Sequence, residues 1–97
     1  MLSLMIAIAR FTVQLADAKQ FHKDLVVAQA AFSACSGYLN GYIGQSLDDT
    51  SLWSLTTVWE NVGSYRRALS NNQVKMVAIP LLATAIDEPG AYELPDT

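Results

Sequence analysis

From Leu4 to Val13 the chain is apolar on both sides of an extended strand. Met5, Ala7, Ala9, Phe11 and Val13 point one way; Ile6, Ile8, Arg10 and Thr12 point the other. An antiparallel strand with one wet face alternates more cleanly than this. From Asp17 the period changes. Phe21, Leu25, Ala28, Phe32 and Cys35 recur at steps of 4, 3, 4 and 3, a continuous helical stripe. Asp17 is placed to cap that helix, with Gln20 as its capping-box partner. Gly37 is placed as the glycine that ends it.

Tyr38 to Leu47 reads as a second strand, and Gly41 and Gly44 within it imply a bulge or a close backbone approach. "LDDTS", Leu47 to Ser51, is a hairpin loop, and Leu52 to Glu60 is the third strand. Asn61 then caps a second helix whose Val62, Tyr65 and Leu69 share a face, and Ser70 to Asn72 breaks it. Gln73 to Ile86 is helical in pattern, with Val74, Val77, Leu81 and Ala85 aligned and Pro80 kinking or dividing it. Asp87 to Gly90 is a turn, and Ala91 to Leu94 a short last strand.

This order is the split β-α-β of an α+β, ferredoxin-like domain: a four-stranded antiparallel sheet with helices on one face. Residues 1–97 form one such domain. Helices cover one side of the sheet, yet the strands are apolar on both. The partner expected on the second face is another copy of the chain, giving a two-fold homodimer.

Composition strengthens that expectation. Hydrophobic residues make up 52% and charged residues 15%, against averages of roughly 45–50% and 25%. A chain of this length buries only about 60–65% of its unfolded surface when it folds alone. The net charge of −3 and the lack of any basic cluster beyond Arg66-Arg67 argue against nucleic-acid binding. No apolar run reaches the roughly 18 residues of a membrane span. The apolar start carries Arg10 and lacks a cleavage site, so it is expected to be a strand and not a signal peptide. The single cysteine, Cys35, excludes an internal disulfide. A cytoplasmic location is the simplest expectation.

Candidate chemistry is sparse. No phosphate-cradling loop, serine elbow or zinc spacing occurs, so no metal and no cofactor are expected. Trp53, Thr57 and Trp59 share one face of the third strand. The two indoles are either core or a stacking wall for a flat ligand. Phe32 can extend that wall. Tyr65 can donate a hydrogen bond to a phenolic or carbonyl oxygen, or act as a base if ionised. His22, the only histidine, is a candidate base for a phenol or a surface residue. Arg10 either orients an anionic ligand or pairs with an acid of the twin subunit. Cys35 reads as a buried, inert thiol.

"SGYLNGYIGQSLDDTSLWSLTTVWENVGSYRRALSNNQVK" resembles the centre of the antibiotic biosynthesis monooxygenase family of dimeric α+β barrels. The landmarks are Ser36-Gly37-Tyr38, the "SLDD" hairpin and "TTVWENVGSYRRAL"; the ending "PLLATAIDEPGAYEL" is similar to that of short bacterial members. The resemblance implies a homodimer whose sheets pack into a barrel, with a pocket in each subunit. It also implies a range of activities, among them metal- and flavin-free oxidation of polycyclic phenols, and haem degradation.

By the resemblance, the family's Trp falls on Trp59 and its pocket Tyr on Tyr65. The Asn and Arg of cofactor-free members fall on Leu55 and, by gapless counting, Ile79. The His and second Trp of haem-degrading members fall on Ala78 and Ala68, which disfavours haem. The expectation is a cofactor-independent monooxygenase acting on a planar phenolic, quinone-forming molecule. Tyr65 and His22 are the catalytic candidates, and Trp59, Trp53, Phe32, Thr57 and Arg10 the ligand-binding ones. The alternative is a non-catalytic dimer that binds a small apolar ligand.

Overall fold

The computed structural model describes residues 3–95. The strands are β1 (Met5–Thr12), β2 (Tyr38–Gln45), β3 (Leu52–Trp59) and β4 (Ala91–Glu93). The helices are α1 (Ala18–Ser33), α2 (Val62–Ala68), α3 (Asn72–Val77) and α4 (Ile79–Leu82). All strand pairs are antiparallel, in the order β2-β3-β1-β4. This is the ferredoxin-like arrangement that the element order implies.

The odd-numbered side chains of β1 and β3 build the core. Met5, Phe11, Trp53, Leu55 and Trp59 are buried there with Leu25, Ala28 and Phe32 of α1 and Val74 of α3. Burial along β3 alternates strictly, as a strand between a helix layer and another surface requires. The even-numbered face is open: Tyr42 is 60% exposed, Tyr92 48% and Leu4 44%. Ile6 lies between Val58 and Tyr92 in one row across that face.

Several local features differ from the sequence expectation. Asp17 does not cap α1 with its side chain. A short 3-10 turn, Leu15–Asp17, precedes the helix, so the Asp17 backbone is already helical and its carboxylate does not reach back. Gln20 donates instead to Asp24 at 2.9 Å, one turn along. The helix ends at Ser33, so Cys35 packs on the core from beyond its end. The bulge in β2 falls at Leu39, between Tyr38 and Asn40, and not at either glycine. Gly41 does mark a close approach, because the Tyr38 hydroxyl occupies the place of its missing Cβ.

Asn61 caps α2 by accepting from the Ser64 N–H at 2.9 Å. Asn71 does the same for α3 through Val74 at 3.1 Å. Pro80 divides the helical run and does not merely bend it. It sits in the first turn of α4, where its missing N–H costs nothing.

Gly37 carries the tightest backbone requirement. Its φ is +89°, and a Cβ there would strike the Ser64 side chain. Strain and collision act together, so Gly37→Ala is expected to destabilise the fold by about 2–3 kcal/mol. Chemical denaturation should show this as a lower midpoint with an unchanged slope.

Candidate functional site

Along the covered face of β1 the side chains run Met5, Ala7, Ala9, Phe11. Two alanines stand between two large residues. Ala7 pairs with Thr57 and Ala9 with Leu55 on β3, so the sheet floor is low at its middle. A cavity of about 510 Å³ opens above it, within the range of roughly 300–1,000 Å³ usual for small-molecule sites. Phe32 of α1, Tyr65 of α2, Leu82 of α4 and the segment from Ala83 to Ala91 complete its wall.

That segment is strapped onto β1. The Ile86 N–H donates to the Arg10 carbonyl at 2.8 Å, and the Ile8 N–H to the Gly90 carbonyl at 2.7 Å. Arg10 and Glu88 add a two-point ion pair, Nε to Oε2 and Nη2 to Oε1, each 2.6 Å. Each partner stabilises the charged form of the other: the Arg10 guanidinium holds the Glu88 carboxyl below its usual range, and Glu88 raises Arg10. The pair therefore persists through neutral pH and yields only when acid protonates Glu88. The acid that meets Arg10 in this structure belongs to the same chain, 78 positions away. Arg10 lies outside the cavity lining.

Three of the expected site residues do meet around the cavity: Phe32, Thr57 and Tyr65. Tyr65 is partly buried, and burial pushes its hydroxyl pKa up. It is a protonated donor at neutral pH, not a base. Thr57 is 3% exposed, and its Oγ1 accepts from the Trp59 indole Nε1 at 2.8 Å.

Trp59 itself is fully buried and stands behind the lining. Its ring meets Tyr38, Tyr65 and Phe32 edge-on at 5.4, 5.8 and 5.9 Å. It backs the cavity wall without forming its surface. Trp53 packs with Phe21 and His22 at 6.4 and 5.4 Å, outside the cavity lining. Its Nε1 is buried and has no partner among the described residues. His22 is exposed on α1 beside Trp53 and does not reach the cavity. Burial raises the Cys35 pKa, consistent with an inert thiol.

Sequence reasoning missed Asp87, which lines the cavity at its exposed strap. It also missed Ala7 and Ala9 as the cause of the space. Their signal was readable as a small pair between Met5 and Phe11 on the covered face. Among the described residues no group of three His, Cys, Asp or Glu side chains could hold a metal. No described helix is long and apolar enough to cross a membrane.

Residues 4–78 match the family described as antibiotic biosynthesis monooxygenase. No curated protein matches the sequence. Among solved structures the chain is similar to SnoaB, a cofactor-independent oxygenase from Streptomyces nogalater. The identity is 24% over 98% of this chain and 96% of that one, with a TM-score of 0.80. A conserved protein from Methanosarcina mazei Go1 is 16% identical over 94% of this chain and 92% of that one, with a TM-score of 0.78. A conserved protein of unknown function from Bacteroides thetaiotaomicron is 10% identical over 95% of this chain and 98% of that one, with a TM-score of 0.81. At these identities the structural likenesses establish the fold.

Proposed function

The chain belongs to the antibiotic biosynthesis monooxygenase family, and from that premise we propose that it is a homodimeric, cofactor-independent monooxygenase for a planar phenolic molecule. The observation that carries this reading is the cavity: apolar walls from Ala7, Ala9, Leu55 and Phe32, with Thr57 and Tyr65 as hydroxyl-bearing residues of the lining. Such a surface suits a flat ring system bearing one or two oxygens. The similarity to SnoaB, a cofactor-independent oxygenase, supports the same direction. The cytoplasm, where the lone Cys35 stays reduced, is the proposed compartment.

In the proposed reaction the site removes the substrate from water and takes a proton from it. The electron-rich anion then reduces molecular oxygen and forms a new C–O bond. With an anthrone the balance is one anthrone and one O₂ giving one anthraquinone and one water. Loss of two hydrogens from the ring carbon accounts for the water. Tyr65 stabilises the anionic oxygen by donating to it. Asp87 is the carboxylate available to accept the proton, since Glu88 is held by Arg10. His22, away from the cavity, is replaced in that role.

Incubation with an anthrone in air tests the reading: quinone absorbance should grow with one O₂ consumed per quinone formed. Tyr65→Phe is expected to lower kcat/KM about tenfold, the worth of one hydrogen bond to a developing charge. The pH dependence has a definite sign. A buried tyrosine with a raised pKa keeps its proton across neutral pH and loses it only above the ordinary tyrosine range. Affinity for a quinone, which does not itself titrate, should be flat across neutral pH and fall only above the ordinary tyrosine range. The second reading, binding without turnover, is favoured by Leu55: it leaves an apolar wall where the resemblance places an Asn. Quinone binding with no oxygen uptake would select it.

A further inference from the structure

We infer that the Thr57 hydroxyl is a fixed donor aimed into the cavity, and that through it the site selects flat ligands bearing a carbonyl or phenolate oxygen over hydrocarbons of equal shape. The inference rests on the reading of the cavity as the site of a planar ligand. It names the residue that discriminates among such ligands.

The argument starts from what an indole can do. Its Nε1–H donates and never accepts. At 2.8 Å the Trp59 indole therefore gives its proton to Thr57 Oγ1, and Thr57 must accept. Trp59 is fully buried, so the indole is held in place by packing on three aromatic rings. Thr57 is β-branched and lies on a central strand, which restricts its χ1. Its own hydroxyl proton meets no protein acceptor among the described residues, although Thr57 is 97% buried. The cavity lies beside it, and Ala7, directly opposite on β1, has no polar side-chain atom.

A hydroxyl that already accepts a hydrogen bond is a stronger donor. A ligand oxygen at Thr57 completes the chain from indole to hydroxyl to ligand. A hydrocarbon of the same outline leaves the hydroxyl proton without a partner, and that is the source of discrimination. Tyr65 supplies a donor on the wall contributed by α2, so a second ligand oxygen can be held as well.

The test compares 2-(hydroxymethyl)anthraquinone with 2-(hydroxymethyl)anthracene, two neutral probes that differ in the ring carbonyls. Dissociation constants are measured by equilibrium dialysis against wild type, Thr57→Val and Thr57→Ser. Thr57→Val is expected to weaken the quinone about tenfold and to leave the anthracene within about twofold. Thr57→Ser, which keeps the donor, should restore quinone affinity. If Thr57→Val does not fold, Thr57→Val combined with Trp59→Phe removes both polar partners and is compared with Trp59→Phe alone. A quinone loss under about twofold, or equal losses for both probes, overturns the inference while leaving the planar-ligand reading intact. Failure of the wild type to bind either probe overturns both.

Discussion

Replacing Trp59 with alanine is expected to destabilise the fold by about 3–5 kcal/mol, the range for emptying a fully buried aromatic site. Trp59 has no exposed surface and joins three elements through ring contacts: α1 by Phe32, β2 by Tyr38 and α2 by Tyr65. Its neighbours cannot readily collapse into the space, because they hang from three different elements. Deletion also strips Thr57 of its buried donor. For a domain of this size each kcal/mol moves Tm by roughly 4–8 °C, so a fall of at least about 12 °C is expected in a thermal melt. Trp53 provides the contrast. Its Nε1 has no partner among the described residues, so Trp53→Phe gives up ring area but no hydrogen bond seen there. Trp59→Phe gives up both area and bond and should cost about 1 kcal/mol more. A Trp59→Ala loss below about 1 kcal/mol would show that the aromatic cluster contributes little to the fold.

The legible part of this protein is its periodicity. The alternation from Leu52 to Trp59 and the stripe from Phe21 to Phe32 depend on neighbours only a few residues apart, and both elements form where they are expected. Asn61 caps its helix because capping is a local bond. Asp17 shows the limit of the same rule. An acid followed by Gln20 fits a capping box, but the preceding 3-10 turn sets the backbone first and leaves the carboxylate facing elsewhere.

The site was harder to read because it is made by absence and by distance. Ala7 and Ala9 create space only because Met5 and Phe11 flank them and helices close above. Arg10 finds Glu88 across most of the chain's length, by way of a strap that no short-range pattern encodes. Trp59 and Trp53 share a face, as their spacing requires. That spacing cannot say that one backs the cavity wall while the other ends beside His22. The strand period alone puts Thr57 on the covered face of β3, whereas its bond from the Trp59 indole needed the tertiary structure.

Ile6→Glu is expected to weaken the proposed homodimer by about 10³- to 10⁴-fold. Ile6 sits in the middle of the open sheet face, paired with Val58 on one side and Tyr92 on the other. On an isolated protomer that position is only half-buried, and a glutamate there can reach water. Surface changes of this kind shift stability by about 0.5 kcal/mol or less. In a two-fold dimer built on this face the same residue is covered, and symmetry buries the substitution twice. Each unpaired charge then costs upwards of about 2–3 kcal/mol. Two of them give about 4–6 kcal/mol, which is the stated change in dissociation constant. The two arrangements therefore predict opposite outcomes for one substitution. Sedimentation should find the wild type as a dimer at micromolar concentration and Ile6→Glu as a monomer. Because small, apolar chains draw much of their burial from such an interface, the variant should also melt at a lower temperature, and only the wild type's melting temperature should rise with protein concentration. A wild type that sediments as a folded protomer, or a variant that remains dimeric, would remove the open sheet face as the interface.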